Sequence, residues 1–504
     1  MGYRLVSGMP STLKSLRRDF MKMYRLRSTT KLLGKNENHP ELAEKIIFFI
    51  PASNFNDPLE GRVEMIYHGD SIVWENLFKH FLLCMEHKVA LATLLKPEES
   101  ENFFNSNFPI FCSETNLSTD LSRQIFSTIK ERFFSYDDVK AWIQYLGSRR
   151  TPICEEQLLS IFNFITNIAL ESVLFGYDKA GLQPQTEFLV ALQEKLSSKP
   201  YREIFELMSI VGEDQFDIAM EVSSRITQET NLIEYCKLGE KAKLINWGYF
   251  MSDYPSEYIA NLQKLVYPDW YAASFMGKFP KYTDLWSHYA DSHKGVCLIY
   301  NAEQKDEHSN PYIEIERPTG YNTSTGITMG YAPAFFEKVN YEDETIQVDF
   351  FKCFLNQPAA IIIDEWYTNA AGQRSSLISE TSPLISGTNL SEEDLREYWD
   401  RFLTICTTKT KDWEKENEYR LRLNDSFFFD FFEPKSRTLH YKFNSLIGIV
   451  FGIKTSIEDK AKIIKIIDSK CKEGGRKDFA FYQARYDKKQ NEVVYDELSL
   501  LKFQ

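Results

Sequence analysis

Between Met23 and Ser28 the chain alternates: Met23, Arg25 and Arg27 fall on one side of an extended run, and Tyr24 and Leu26 fall on the other. That period of two predicts a strand. Ser28-Thr29-Thr30 then offers an N-cap ahead of Leu32 and Leu33, so a short helix is expected next. Lys45 to Ile50 is an apolar run of strand length that stops at Pro51 and leads into the polar turn Ala52-Ser53-Asn54-Phe55-Asn56-Asp57-Pro58. From about Leu117 to Leu265 the spacing becomes helical, with Leu158, Ile161, Phe162, Ile165, Ile168 and Ala169 on one stripe and Phe188, Leu192 and Leu196 on another. Beyond Tyr267-Pro268 strand-like runs return at Trp270 to Phe275, Val296 to Tyr300, Tyr419 to Leu423 and Leu446 to Phe451. Helical patterns at Ser391 to Thr407 and Ser456 to Ser469 are interleaved with them.

Such a mixture, without regular βαβ alternation, predicts an α+β protein with a mixed or antiparallel sheet core and flanking helices. Residues 1–115 and 265–504 would build that core, with 116–264 as an all-helical insertion whose role is structural, regulatory or partner-binding. The stretches Glu316 to Pro333 and Ser382 to Thr388, rich in Pro, Gly, Ser and Thr, are expected to be flexible loops.

Composition narrows the class. A chain of 504 residues with 43% apolar content is too long for one simple core and has ample material for two or three. A net charge of -13 argues against a protein that coats nucleic acid through its whole surface, although a local basic groove stays open, so nucleic acid is possible as a substrate without support from charge. The eight cysteines form no Cys-x-x-Cys pair, which points to reduced thiols and a cytoplasmic location. Residues 1–20 carry four basic side chains but no apolar signal core, and no later window is read as about 18 uncharged apolar residues, so no membrane is expected. The aromatic share of 14% reads as core filling ahead of base stacking.

Candidate chemistry concentrates in a few places. Glu416 and Glu418 lie two residues apart at the head of a strand-like run. Extended, they would share a face roughly 6.5 to 7 Å apart. Two acids so placed repel unless a cation, a shared proton or a polyhydroxyl ligand sits between them; a solvated strand edge is the plainer account. Asn54 to Gly61 is a turn whose Asn56, Asp57 and Glu60 could line a pocket at a strand end. His288 and His293 are five apart, a spacing unsuited to a shared metal, and a helix from Tyr282 to about Ser292 closed by Gly295 fits better. His288 and Tyr289 would then flank a cleft. Arg25 and Arg27, on one face, suit a pyrophosphate or carboxylate, or a plain ion pair with Glu416 and Glu418. No Gly-x-Gly-x-x-Gly, Walker-type loop or Gly-x-Ser-x-Gly elbow occurs.

Met23 to Ser28, Phe55 to Gly61, Leu285 to Gly295, Trp413 to Arg420 and Leu446 to Gly452, taken in order, resemble the landmarks of a prokaryotic family, domain of unknown function 2971 (DUF2971), over roughly residues 20 to 65 and 265 to 500. That resemblance implies, by association with abortive-infection loci, a role in bacterial phage defence. The layout is also similar to ADP-ribosyltransferases, which cleave the nicotinamide-ribose bond of NAD. The resemblance implies Glu418 as catalytic acid with Glu416 positioning the acceptor and His288 beside them. It implies Arg25 or Arg27 on the pyrophosphate, with Asn56 and Asp57 in the pocket wall. Trp286 and Tyr289 would sandwich the nicotinamide, and Tyr24 would replace the usual first-strand histidine. The middle Ser-Thr-Ser strand of the arginine-class enzymes is not evident. Two other readings stand beside this one. Asp57, Glu60, Glu416 and Glu418 could hold Mg²⁺ in a nuclease, with His288, Lys409 or Lys411 as base. Alternatively the chain is a non-enzymatic ligand sensor or antitoxin-like module that binds another protein through its helical insertion.

Overall fold

The computed structural model describes residues 19–35, 39–57, 61, 63–94, 108–182, 187–197, 212–238, 249–306, 309–322, 326–343, 345–353, 359–379, 392–425, 429 and 431–501. The chain forms two compact units. The first comprises Met1–Gly61, Asp269–Glu344 and Cys406–Gln504, and the second Arg62–Pro268 and Thr345–Ile405. The sequence pattern sets the breaks near 115 and 265 instead.

The first unit is α+β. Its main sheet contains β1 (Asp19–Arg27), β2 (Trp270–Met276), β3 (Val296–Gln304), β4 (Tyr312–Asn322), β5 (Gly326–Phe335), β6 (Glu337–Lys338), β7 (Glu418–Asn424), β8 (Leu446–Phe451), β9 (Ala480–Asp487) and β10 (Glu492–Glu497), together with the two-residue strand Ile50–Pro51. The strand order is β10-β9-β8-β3-β1-β2-β7-β6, and every neighbouring pair is antiparallel except β8 with β9. β1 pairs with β3 along its whole length, from Asp19 opposite Gln304 to Arg27 opposite Val296. The alternation read from the sequence therefore divides β1 between two apolar layers. Met23 enters one with Phe275, Leu298, Leu421 and Ile449, and Tyr24 and Leu26 enter the other with Met276, Trp286 and Val450.

Helix α1 (Thr29–Leu33) starts where the sequence places it, with Ser28 accepting from the Lys31 N–H. Helix α2 (Glu41–Glu44) follows. Helix α3 (Thr283–Tyr289) is shorter than the expected span to Ser292, because Asp291, Ser292 and His293 all take positive φ and lead the chain to Gly295. A Cβ at Gly295 would meet the Arg27 carbonyl oxygen at 2.3 Å, so this position needs glycine to lie against β1. Helix α4 (Ile457–Gly474) is capped by Ser456 and buries Ile463, Ile467 and Cys471 against the sheet at a spacing of four.

The expected loop from Glu316 to Pro333 is instead a hairpin, β4 with β5, whose register shifts between Pro318 and Gly320. Ladder hydrogen bonds to a neighbouring strand outweigh the turn-prone composition there. Ser382 to Thr388 lies outside the described residues.

The second unit is mainly helical. Its helices include Ser71–Leu94, Asp120–Ser135, Asp137–Ser148, Glu155–Lys179, Glu213–Leu238 and Tyr254–Val266, and a short parallel ladder joins Glu64–Ile66 to Gln347–Asp349. The stripe Leu158, Ile161, Phe162, Ile165, Ile168 and Ala169 is buried, as is Leu192, while the Phe188 side chain is not among those described. Glu155–Lys179 is long and apolar enough by composition to cross a membrane, contrary to the expectation that no window reaches that length. Its most apolar window is 72% buried inside the protein, as befits a core helix. Glu171 on it is fully buried and held by Arg132 and Tyr136, so the helix carries its charge into the core already paired.

Candidate functional site

The halves of the main sheet meet between β1 and β2, and there they share a single register pair, Tyr24 with Met276. Continued in register, the ladder would set Arg25 against Phe275 and Arg27 against Ala273. It stops, and those residues line a cleft of about 1330 Å³. Ile50–Pro51 pairs with β2 further along, at Ala272 and Tyr271, and helps frame the opening. Arg25, Arg27, His288, Tyr289, Glu416 and Glu418 all line this one hollow, although the sequence separates them by up to 393 positions.

The acidic end differs from the sequence expectation in its backbone. Glu416 closes a 3-10 turn, Lys411–Glu416, and Glu418 opens β7, so the two do not lie on one extended run. Between them Asn417 is left-handed, at φ 44 and ψ 54, and turns both carboxylates toward Lys409. The Lys409 Nζ lies 2.8 Å from Glu416 Oε2 and 3.3 Å from Glu418 Oε2. A cation therefore sits where two adjacent acids require one. Arg420, with no exposed surface, binds Glu418 through Nε at 2.9 Å and its terminal nitrogen at 3.2 Å. Tyr289 donates to Glu416 Oε1 at 2.6 Å, Asn56 donates to the Tyr289 hydroxyl at 3.4 Å, and the Glu418 N–H donates to the Tyr341 hydroxyl at 2.8 Å. Neither acid points into open water.

Lys409 and Arg420 bind Glu416 and Glu418 directly, and the buried Asp57 is a third carboxylate acting on Arg420. Burial, followed by the Glu416 charge, pushes the Glu418 carboxyl above its ordinary value in spite of the opposing Lys409. For Lys409 burial acts downward, but Glu418 and then Glu416 outweigh it and hold the ammonium charged. Burial lowers Arg420 to about 9, which leaves it protonated at neutral pH.

The basic end is built from β1, α1 and α2. Arg27 is bound through two of its nitrogens by both oxygens of Glu41, one contact at 2.8 Å, and not by Glu416 or Glu418. Arg25 is buried, donates to the Phe48 carbonyl at 3.3 Å and lies 5.1 Å from the centre of the Phe275 ring. Burial and then the Arg27 charge lower it to about 10. Lys31, also on the cleft wall, is lowered chiefly by the Arg27 charge.

The remaining expected residues divide. His288 is exposed on the rim, and Asn56 reaches the acidic end through Tyr289. Tyr24 borders the cleft, but its ring belongs to the opposite sheet face against Phe279, and burial raises its phenol. Trp286 has no exposed surface, its indole N–H is spent on the Pro280 carbonyl at 2.7 Å, and it does not line the cleft. It therefore packs the core and is not placed to sandwich a ligand with Tyr289. Asp57 is buried and accepts from Thr410 at 3.2 Å, and Glu60 lies outside the described residues. Sequence reasoning passed over Arg420, Glu41, Lys31 and Tyr341. Only Arg420 carried a local signal, because residues two apart on a strand share a face with Glu418.

Among the described residues no group of three or more His, Cys, Asp or Glu is arranged to hold a metal ion. Between Glu416 and Glu418 the Lys409 ammonium takes the place a metal would need. No curated protein and no solved structure matches the chain. Residues 285–421, the segment that brings His288, Tyr289, Lys409, Glu416 and Glu418 to the cleft, match the model of a family described as protein of unknown function (DUF2971), and to that extent the chain is similar to that family.

Proposed function

We propose that the cleft takes a nucleotide of the NAD class and that its acidic end acts on the nicotinamide-ribose bond, as in an ADP-ribosyltransferase or NAD glycohydrolase. The observation that carries this reading is the convergence of Arg25 and Arg27 with Glu416 and Glu418 on one hollow. A dinucleotide carries its phosphates in the middle and the scissile bond toward one end. A cleft lined both by Arg25 and Arg27 and by Glu416 and Glu418 suits that distribution of charge. When the bond breaks, nicotinamide leaves with the electron pair and positive charge grows on the ribose. A carboxylate held in place beforehand stabilises that charge without reorganising. Glu418 is the residue assigned to this role, with Lys409 and Arg420 fixing its orientation. Glu416, with Tyr289 bonded to one oxygen and Lys409 to the other, holds the acceptor side. Tyr289 remains available as a wall for the base, while Trp286 is withdrawn from that task.

The pairing of Glu418 with Lys409 and Arg420 favours a second reading. A carboxylate already bound by two cations has less to offer a developing charge, and a site whose charges are already paired suits a sensor that holds a ligand without turning it over. One experiment separates the two. Purified protein incubated with NAD is assayed for free nicotinamide, and Glu418→Gln is assayed beside it with folding checked by circular dichroism. Release by the wild type that is lost in the variant supports the enzyme. Binding of NAD without release supports the sensor, and undiminished release by a folded Glu418→Gln protein removes Glu418 from the chemistry. A role in phage defence would follow from the enzymatic reading as depletion or transfer chemistry in an infected cell, and its test is the survival of phage-challenged bacteria carrying Glu418→Gln.

A further inference from the structure

At the basic end of the cleft the charges do not balance. Arg25, Arg27 and Lys31 act on one another with Glu41 as the carboxylate among them, while Asp291, Glu433 and Lys435 line the cleft from exposed positions. Glu41 is committed to Arg27 through both of its oxygens. Arg25 has a carbonyl and an aromatic ring for company and no carboxylate within ion-pair distance among the described residues. Concentrating like charge in a partly enclosed hollow is costly, and the cost shows in the lowered pKa of Lys31, for which the Arg27 charge is the leading cause. A multiply charged anion would offset that excess of positive charge.

We infer that this end of the cleft is a subsite for a phosphate dianion or a diphosphate, in which Lys31 is a ligand-binding residue and Glu41 is a built-in competitor that the incoming anion must displace from Arg27. The inference rests on the cleft being a ligand site, as proposed above, but it requires no bond cleavage. Arg27 offers a planar fork that fits a carboxylate and a phosphate equally well, so exchange of one for the other needs no rearrangement of the strand. The helix bearing Glu41 has four residues and is anchored by Leu42 in the core and by Lys470 on the Ala43 carbonyl, so Glu41 yields Arg27 by turning its side chain and not by withdrawal of the helix. The resting ion pair thereby sets a threshold: weak or singly charged anions do not repay the loss of the Arg27-Glu41 contact, whereas a dianion that also engages Arg25 and Lys31 does.

The test is calorimetric titration of the full chain with inorganic pyrophosphate and, in parallel, with ADP, in wild type, Glu41→Gln and Lys31→Met. Gln keeps the size of Glu41 and a hydrogen bond to Arg27 while removing the charge. Glu41→Gln is expected to bind pyrophosphate about tenfold tighter and Lys31→Met about tenfold weaker. Tighter binding of ADP than of pyrophosphate identifies a nucleotide as the source of the phosphate, and the reverse order identifies free phosphate. Failure of every protein to bind either probe, or unchanged or weaker binding by a folded Glu41→Gln protein, overturns the inference. Because neither probe contains nicotinamide, failure of NAD cleavage leaves this result standing, and success of NAD cleavage does not supply it.

Discussion

Arg420 and Glu418 sit two residues apart on one strand and face each other with their charges fully buried, the Arg420 Nε 2.9 Å from the Glu418 carboxylate. Removing one member of such a pair leaves a charge without its partner in a medium that solvates it poorly. Arg420→Met is expected to cost about 3 kcal/mol of stability, the low end of the range for breaking a buried pair, because Lys409 still contacts the orphaned acid. Urea denaturation would measure it. The double variant Arg420→Met, Glu418→Leu should recover a large part of the loss, whereas full additivity would show that the pair does not act as a unit.

At the cleft, Glu41 should add to acid sensitivity and Glu418 should oppose it. Burial pushes Glu41 up, but Arg27, with Arg25 and Lys31 behind it, outweighs burial and holds it below the ordinary value of 4.5. A carboxyl lowered in the folded state gives stability that is present above 4.5 and is lost as pH falls through its folded value. Glu418 is raised, so its contribution has the opposite sign: it is present below 4.5 and is lost as pH rises through the folded value. Glu41→Gln should therefore flatten the loss of stability below pH 4.5, and Glu418→Gln should improve relative stability on the neutral side compared with the acid side. Denaturation midpoints between pH 3 and pH 7, which bracket the ordinary carboxyl range, read both effects.

The left-handed turn at Asn417 brings the two acids to one cation, and its backbone conformation suits Asn or Gly far better than a β-branched residue. Asn417→Gly is expected to be neutral to within about 0.5 kcal/mol, and Asn417→Val to cost about 1 to 2 kcal/mol. If Asn417→Val proves neutral in thermal melts, the turn does not hold the geometry described.

The Lys409 ammonium contacts both Glu416 and Glu418 and opposes the burial that raises the Glu418 carboxyl. In Lys409→Met the Glu418 carboxyl should therefore move further up, visible as a shifted carboxyl resonance in a carbon-13 NMR titration. Lys409→Arg should keep the wild-type titration.

Much of the frame was legible because it depends on local period. The alternation at Met23 to Arg27, the apolar runs of β3 and β8 and the capped helix after Ser456 were all visible in short windows. The hairpin of β4 and β5 was missed because its composition favours turns and its stability comes from a partner strand that no single window contains. The candidate site was half legible for a similar reason. Two acids in close sequence suggested a cation between them, but that cation, Lys409, reaches them from a short strand beside Asn340–Tyr341. The alternative of an ion pair from Arg27 to Glu416 and Glu418 gives way to Glu41, which looks like any other glutamate until the chain brings helix α2 beside the first strand. Trp286 looked like a ligand platform because aromatic residues near a histidine read the same whether they pack inward or outward.

A ladder held by one rung is a joint. Since Tyr24 and Met276 form the one backbone pair between β1 and β2, the strands beyond that point are held by side chains, Met23 with Phe275 in one layer and Arg25 on the Phe275 ring, and by no ladder. Anything that bridges from the arginines of one strand to the glutamates beside the other would act as the missing rungs, stiffening the sheet in proportion to how well it fits, so occupancy of the cleft should register as slower amide exchange along both strands.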